Sequence, residues 1–285
     1  MSGVGRVAFR EVGLSRVDSP IRASRAAFAT ALIGLGILSL MYGNKSEVWE
    51  AIPKSFPDRA VITYLCGAIT LAAGAGLLLR ASTMLACRIL YPFLLVWLVL
   101  LKLPPLLRAP QVMVGWESFA ETATLAAGAW CLFAAHAGAW ERAHLKFAVG
   151  ASGVRLARLL LIAALPMIGL SHFAYHDLTA SLVPKWLGFP LGWTYLTGAA
   201  SLAAAAGMLF ALVPRLAVGL EAAMLGIFTL LVWVPRVASS PHDQGNWSEI
   251  LISAAIASGA WLVSETYRGV PWLASGKAAR AVSFD

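Results

Sequence analysis

Eight apolar runs of roughly twenty residues alternate with short polar segments along this chain. They fall at 24–43, 60–80, 83–103, 116–138, 155–174, 191–212, 214–234 and 247–266. About 20 apolar residues in a helix cross the hydrocarbon core of a bilayer. The pattern therefore predicts an all-α, polytopic membrane protein with eight transmembrane helices. Ser19 is a good helix cap and Pro20 suits a first helical position. The run after them is longer than a signal-peptide core, and no small-residue cleavage site closes it. It reads as a retained first span.

The runs fall into two sets. TYLCGAITLAAGAGLLL at 63–79 returns as TYLTGAASLAAAAGMLF at 194–210, an offset of 131. The offset holds without a gap from Pro53-Lys54 and Pro184-Lys185, through Trp116 and Trp247, to Gly128-Ala129-Trp130 and Gly259-Ala260-Trp261. One unit of about 130 residues is written twice, a repeat signal that precedes any fold assignment. The divisions are a basic tail at 1–23, a first four-span repeat at 24–150, a second at 151–270 and a tail at 271–285. An even number of spans per unit points both units the same way. Two parallel four-helix bundles then share an axis along the membrane normal.

Composition agrees: 59% of residues are hydrophobic and 13% charged, and the mean hydropathy is +0.75. The net charge of +8 does not indicate nucleic acid, because Lys and Arg are not gathered with aromatics on a polar face. They sit between the apolar runs. Fifteen lie on the side of both termini and seven (Lys45, Lys54, Arg59, Lys102, Arg108, Lys185 and Arg236) on the other. This bias places both termini in the cytoplasm. Trp49, Trp116, Trp186, Trp193, Trp233 and Trp247 collect on the outer side, as an interfacial aromatic belt would. Arg6, Arg10 and Arg16, spaced among apolar residues, suit either a membrane-surface tail or a solvated one. Cys66, Cys87 and Cys131 form no CxxC and have no cysteine counterparts 131 residues away. They read as small apolar residues.

Matched outer segments, Ser46–Ile52 and Asp177–Val183, are expected as short surface helices, each followed by Pro-Lys. Pro104–Gly115 and Pro235–Asn246 are expected as proline-flanked loops. Ala68-Ala72-Gly76 and Ala199-Ala203-Gly207 place small residues every fourth position. Such faces let membrane helices approach closely, so spans two and six are expected at the centre. Pro92 and Pro166 are expected to kink spans three and five.

The duplicated pattern resembles the DoxX-like family of four-span bacterial membrane proteins. The likeness is carried by Gly169-Leu170-Ser171-His172-Phe173, Val183-Pro184-Lys185-Trp186-Leu187, Trp193-Thr194-Tyr195-Leu196-Thr197-Gly198, Trp247 and Gly259-Ala260. The first repeat keeps Tyr64-Leu65-Cys66-Gly67, Trp116 and Gly128-Ala129. It departs at Met41-Tyr42, which replace His172-Phe173. The resemblance implies a bacterial inner-membrane location and a four-span bundle in each half. It also implies a quinone- or lipid-binding subunit serving an oxidoreductase. Without a CxxC, thiol chemistry of the vitamin-K-reductase kind is not implied.

Candidate chemistry concentrates in the second repeat. His172 and His176 are four apart and so share a helix face. With Asp177 and His242 they offer a divalent-metal set, beside the plainer reading of interfacial histidines bonded to loop backbone. Glu221 lies inside span seven, opposite Leu90, where an ionisable group needs a partner or water. Arg88 or the Arg215 segment is the expected partner. Lys102 with Glu117 or Glu121 reads as an outer ion pair. No phosphate loop, nucleophile elbow or catalytic triad is present.

Three functions follow. The first is a lipophile-binding subunit whose ligand sits near His172, His176, Trp186, Trp193, Tyr195 and Glu221. The others are a transporter of small molecules or lipids and an outer-face metal-dependent enzyme.

Overall fold

The computed structural model describes residues 20–43, 52, 58–276 and 279. The basic tail before Pro20, Trp49, Lys54, most of the expected surface helix Ser46–Ile52 and most of the C-terminal tail lie outside these residues.

The described chain is all-helical. The helices are α1 (Pro20–Tyr42), α2 (Arg59–Leu78), α3 (Thr83–Trp97), α4 (Leu103–Arg108), α5 (Met113–His136) and α6 (Ala139–His144). There follow α7 (Gly150–Ala174), α8 (His176–Leu182), α9 (Pro190–Leu209), α10 (Pro214–Phe228), α11 (Val234–Ser239) and α12 (Gln244–Glu265). Among the described residues six helical segments are long and apolar enough to cross a membrane: α1, α2, the rod of α3 and α4, α7, the rod of α10 and α11, and α12. This is consistent with a polytopic membrane protein. α5 and α9 are also long, at 24 and 20 residues.

Local chemistry explains the helix ends. Pro190 and Pro214 open α9 and α10, where a missing N–H costs nothing. Asp243 caps α12 by accepting from the Asn246 N–H. Within apolar helices, hydroxyls are satisfied on their own backbone. Thr70 donates to Cys66 O and Thr124 to Ala120 O.

Two joints were not expected. Leu98–Lys102 and Thr229–Trp233, 131 positions apart, are π-helical turns that join α3 to α4 and α10 to α11. Leu103 N–H reaches back five residues to Leu98 O, and Val234 N–H to Thr229 O. Proline follows at once, at Pro104 and Pro235. Its missing donor removes the next bond of the ordinary ladder, and the wider turn absorbs the break. Leu103–Arg108 and Val234–Ser239 are therefore helical rather than loop. The loops that remain are closed alike: Trp116 Nε1 donates to Pro110 O at 2.7 Å and Trp247 Nε1 to Pro241 O at 2.8 Å.

The neighbours are α1 with α2, α2 with α3 and α3 with α5, and likewise α7 with α9, α9 with α10 and α10 with α12. α1 also packs on α12, and α7 on α5. α5 and α12 cross at the centre through glycine. A Cβ added at Gly128 would lie 2.7 Å from Gly259 Cα, and one at Gly259 would lie 2.9 Å from Thr124 O. The expectation that spans two and six hold the centre is therefore corrected. Ala72 is exposed, and Gly76 packs on Ala86 of the adjoining α3. The small residues of α2 serve its neighbours along the chain. The central crossing uses the Gly-Ala pairs of α5 and α12, where backbone can meet backbone. Around it lie fully buried Leu32, Leu94, Leu125 and Leu161.

Candidate functional site

α9 and α10 form a hairpin that is closed at one end and splayed at the other. At the closed end a Cβ on Gly207 would lie 2.8 Å from Ala217 Cβ. A cavity of about 960 Å³ lies along the two helices. The cavity runs from Leu212 and Val213 at the turn to Trp193 and Trp233 at the far end. Its volume suits a small lipophilic molecule. Ala203, expected as a helix contact, is cavity wall, as is Ala200. Leu196 and Leu220 line it and are largely exposed, so the space opens outward on an apolar face.

The turn below the cavity is held under strain. Ala211 has φ +56° and Val213 φ +48°, a region that a β-branched residue rarely occupies. The segment after α12 clamps it. Gly276 N–H donates to Ala211 O at 2.9 Å, Leu212 bridges Ser275, and Arg215 donates to Arg268 O and Val270 O. Arg215 also lies over the Trp272 ring, 4.2 Å from its centroid.

Glu221 faces the cavity from α10 and is 2% exposed. Its Oε1 accepts from Ser201 Oγ at 2.9 Å, while its buried Oε2 has no hydrogen-bond partner among the described residues. The expected basic partners are engaged elsewhere. Arg88 donates to Glu141, and Arg215 serves the clamp. Ser201 escaped the sequence reading. It stands opposite Thr70 in the first half, so the substitution of one hydroxyl for another concealed its role.

His172 also lines the cavity, from the last turn of α7. The single proton of the Thr197 hydroxyl goes to Trp193 O at 2.9 Å or to Thr194 O at 3.1 Å. His172 Nδ1, 3.0 Å from that oxygen, is therefore the donor. His176 does not join it. α7 ends at Ala174, Tyr175 leaves the helical conformation, and His176 begins α8. The four-residue spacing presumed one unbroken helix, so the shared face is not formed. His176 instead bonds Phe173 O at 3.2 Å and lies near Asp177 and the Tyr195 ring. Among the described residues no group of three or more His, Cys, Asp or Glu side chains is placed to hold a metal ion. The proposed metal set of His172, His176, Asp177 and His242 is thus not assembled.

Of the expected ligand residues, the structure brings His172, Trp193 and Glu221 to one cavity. Tyr195 stacks on Phe173 and Trp186 is 73% exposed; neither lines it. Lys102 Nζ donates to Ser118 Oγ at 2.7 Å, between Glu117 and Glu121 in sequence.

The same region of the first half is packed. Trp97 and Phe93 stand 131 positions before Phe228 and Met224, and Ile69 stands before Ala200. Trp97 is 4% exposed, clusters with Ile52 and Cys66, and lies 5.9 Å from the Phe93 ring. The first half thus carries larger side chains at these three positions.

A family model described as a domain of unknown function, DUF8561, matches residues 156–250. This stretch runs from α7 into α12 and contains every residue that lines the cavity. No curated protein and no solved structure matches the chain.

Proposed function

We propose that this chain is an eight-span integral membrane protein, built as two parallel four-span units, that binds a lipophilic small molecule between α9 and α10. The observation that carries the reading is the apolar cavity with a buried carboxyl in its wall, where the first half carries Trp97, Phe93 and Leu90 instead. Packing alone favours the filled version, since interiors are normally close-packed and a void forfeits contacts. The helix neighbours in each half correspond, and α5 and α12 meet on glycine, which supports a two-fold arrangement about an axis between them. The charge bias supports cytoplasmic termini. The resemblance to DoxX-like proteins supports a membrane subunit associated with quinone-linked oxidation. Against a rocking transporter stands the position of the cavity, within one hairpin rather than between the halves.

The test is extraction of the protein in mild detergent and mass spectrometry of co-purified lipophiles. Wild type should carry an apolar molecule that Ala203→Trp, which fills the cavity, excludes. An empty wild type, or an equally loaded variant, would overturn the reading.

A further inference from the structure

Hydrogen-bond counting around Glu221 narrows the ligand class, resting on the cavity reading above. An ionised carboxylate only accepts, through two oxygens. Here one hydroxyl, from Ser201, reaches Oε1, and no basic side chain pairs with Glu221 among the described residues. A lone charge in an apolar wall would go uncompensated. The neutral acid fits the surroundings better. Its carbonyl oxygen, Oε1, takes the Ser201 proton, which leaves the hydroxyl of Oε2 a buried donor with nothing among the described residues to donate to, on a side chain that lines the cavity.

Nearby polar groups do not serve it. Thr194 donates to Pro190 O, Thr197 is engaged on its own helix, and the His172 Nδ1 proton goes to Thr197. The rest of the wall around Glu221 is apolar: Leu220, Met224 and Ile227 on α10, Ala200 and Ala204 on α9. The scaffold does not require the acid, since Leu90 takes the matching position and is 1% exposed. An unanswered buried donor is costly, and a matching acceptor removes that cost.

We propose that Glu221 is the polar anchor of the cavity, a neutral carboxyl held by Ser201 that donates one hydrogen bond to a carbonyl oxygen of an uncharged lipophile. A lipophilic cation is the competing chemistry, and it would require the carboxylate.

Three variants and two probes separate these outcomes. The probes are decylubiquinone, uncharged with carbonyl acceptors, and tetraphenylphosphonium, a cation without an acceptor. Native mass spectrometry of detergent-released protein counts bound probe. Glu221→Gln keeps a donor and an acceptor in place of the acid, whereas Glu221→Leu installs the residue of the first half. Decylubiquinone should bind wild type and Glu221→Gln within about threefold, and Glu221→Leu roughly tenfold more weakly, the upper range for one hydrogen bond. Tetraphenylphosphonium should not bind specifically. Equal decylubiquinone binding by wild type and Glu221→Leu would overturn the anchor while leaving the cavity reading intact. So would tetraphenylphosphonium binding that is lost in Glu221→Gln. If Ala203→Trp leaves decylubiquinone binding unchanged, or wild type binds neither probe, the cavity reading itself fails.

Discussion

The crossing of α5 and α12 offers a quantitative test, because its two walls are backbone. A methyl at Gly128 would lie 2.7 Å from Gly259 Cα and 3.0 Å from its carbonyl oxygen, whereas ordinary contact begins near 3.4 Å. No side-chain rotation relieves this, so the helices must part by roughly 0.7 Å where they touch. Overpacking of this kind costs about 1–3 kcal/mol. Alanine returns about 1 kcal/mol through its better helix propensity. Gly128→Ala should therefore cost at most about 2 kcal/mol, and Gly128→Val, bulkier and β-branched, should cost more. Gly226 is the control. It lies within α10, and a Cβ there would meet nothing within 4 Å. Gly226→Ala should be neutral or stabilising by up to about 1 kcal/mol. Thermal melting of detergent-solubilised protein, followed by tryptophan fluorescence, gives the order. The expected ranking is Gly226→Ala, then wild type, then Gly128→Ala, then Gly128→Val. A Gly128→Val protein that melts with wild type would show that the crossing is not a tight contact.

Two further predictions concern Arg88 of α3 and Arg158 of α7, each bonded to a residue outside the long helices. Arg88 donates to the Glu141 carboxyl and holds it below the usual carboxylate range, so this contribution to stability is present above the unfolded-state value and lost as pH falls through the folded one; Glu141→Gln should flatten that acid limb of a melting-versus-pH curve, and an unchanged limb would refute the assignment. Arg158 donates to Thr266 Oγ1 and lies over the Tyr267 ring, 3.7 Å from its centroid; Arg158→Lys keeps the charge but loses the planar fork, and a loss of about 1–2 kcal/mol in the same melting assay is expected, with wild-type stability counting against it.

The helical character was readable because nearly every apolar run is long, and a long apolar run has few alternatives to a helix. The joints were harder. Pro104 and Pro235 look like helix ends in sequence, yet a π-helical turn before each keeps the rod continuous. The central pair was misjudged because Ala72 and Ala203 advertise close packing no less than Gly128 and Gly259 do. Spacing along one helix does not say which partner it meets. In the site, comparison of the halves singled out Glu221 and His172 as residues that the shared scaffold does not need. It could not reveal the cavity, which depends on Met224 and Phe228 being smaller than Phe93 and Trp97 in a hairpin whose splay is a tertiary property. His176 was grouped with His172 by a spacing that the break at Tyr175 cancels.

The packing of α1 on α12 has a consequence in time. Gly34 of α1 lies against Leu251 of α12, more than two hundred residues later in the chain. Ribosomes add about 5–20 residues each second, so the first long helix waits on the order of tens of seconds for the last. Through that interval α2 covers one side of α1, with Gly36 against Leu71 and Gly74 against Ala29. The other side stays open until α12 has been made. Completion of the first half thus waits on the second, and a chain truncated before Gln244 leaves both halves unfinished.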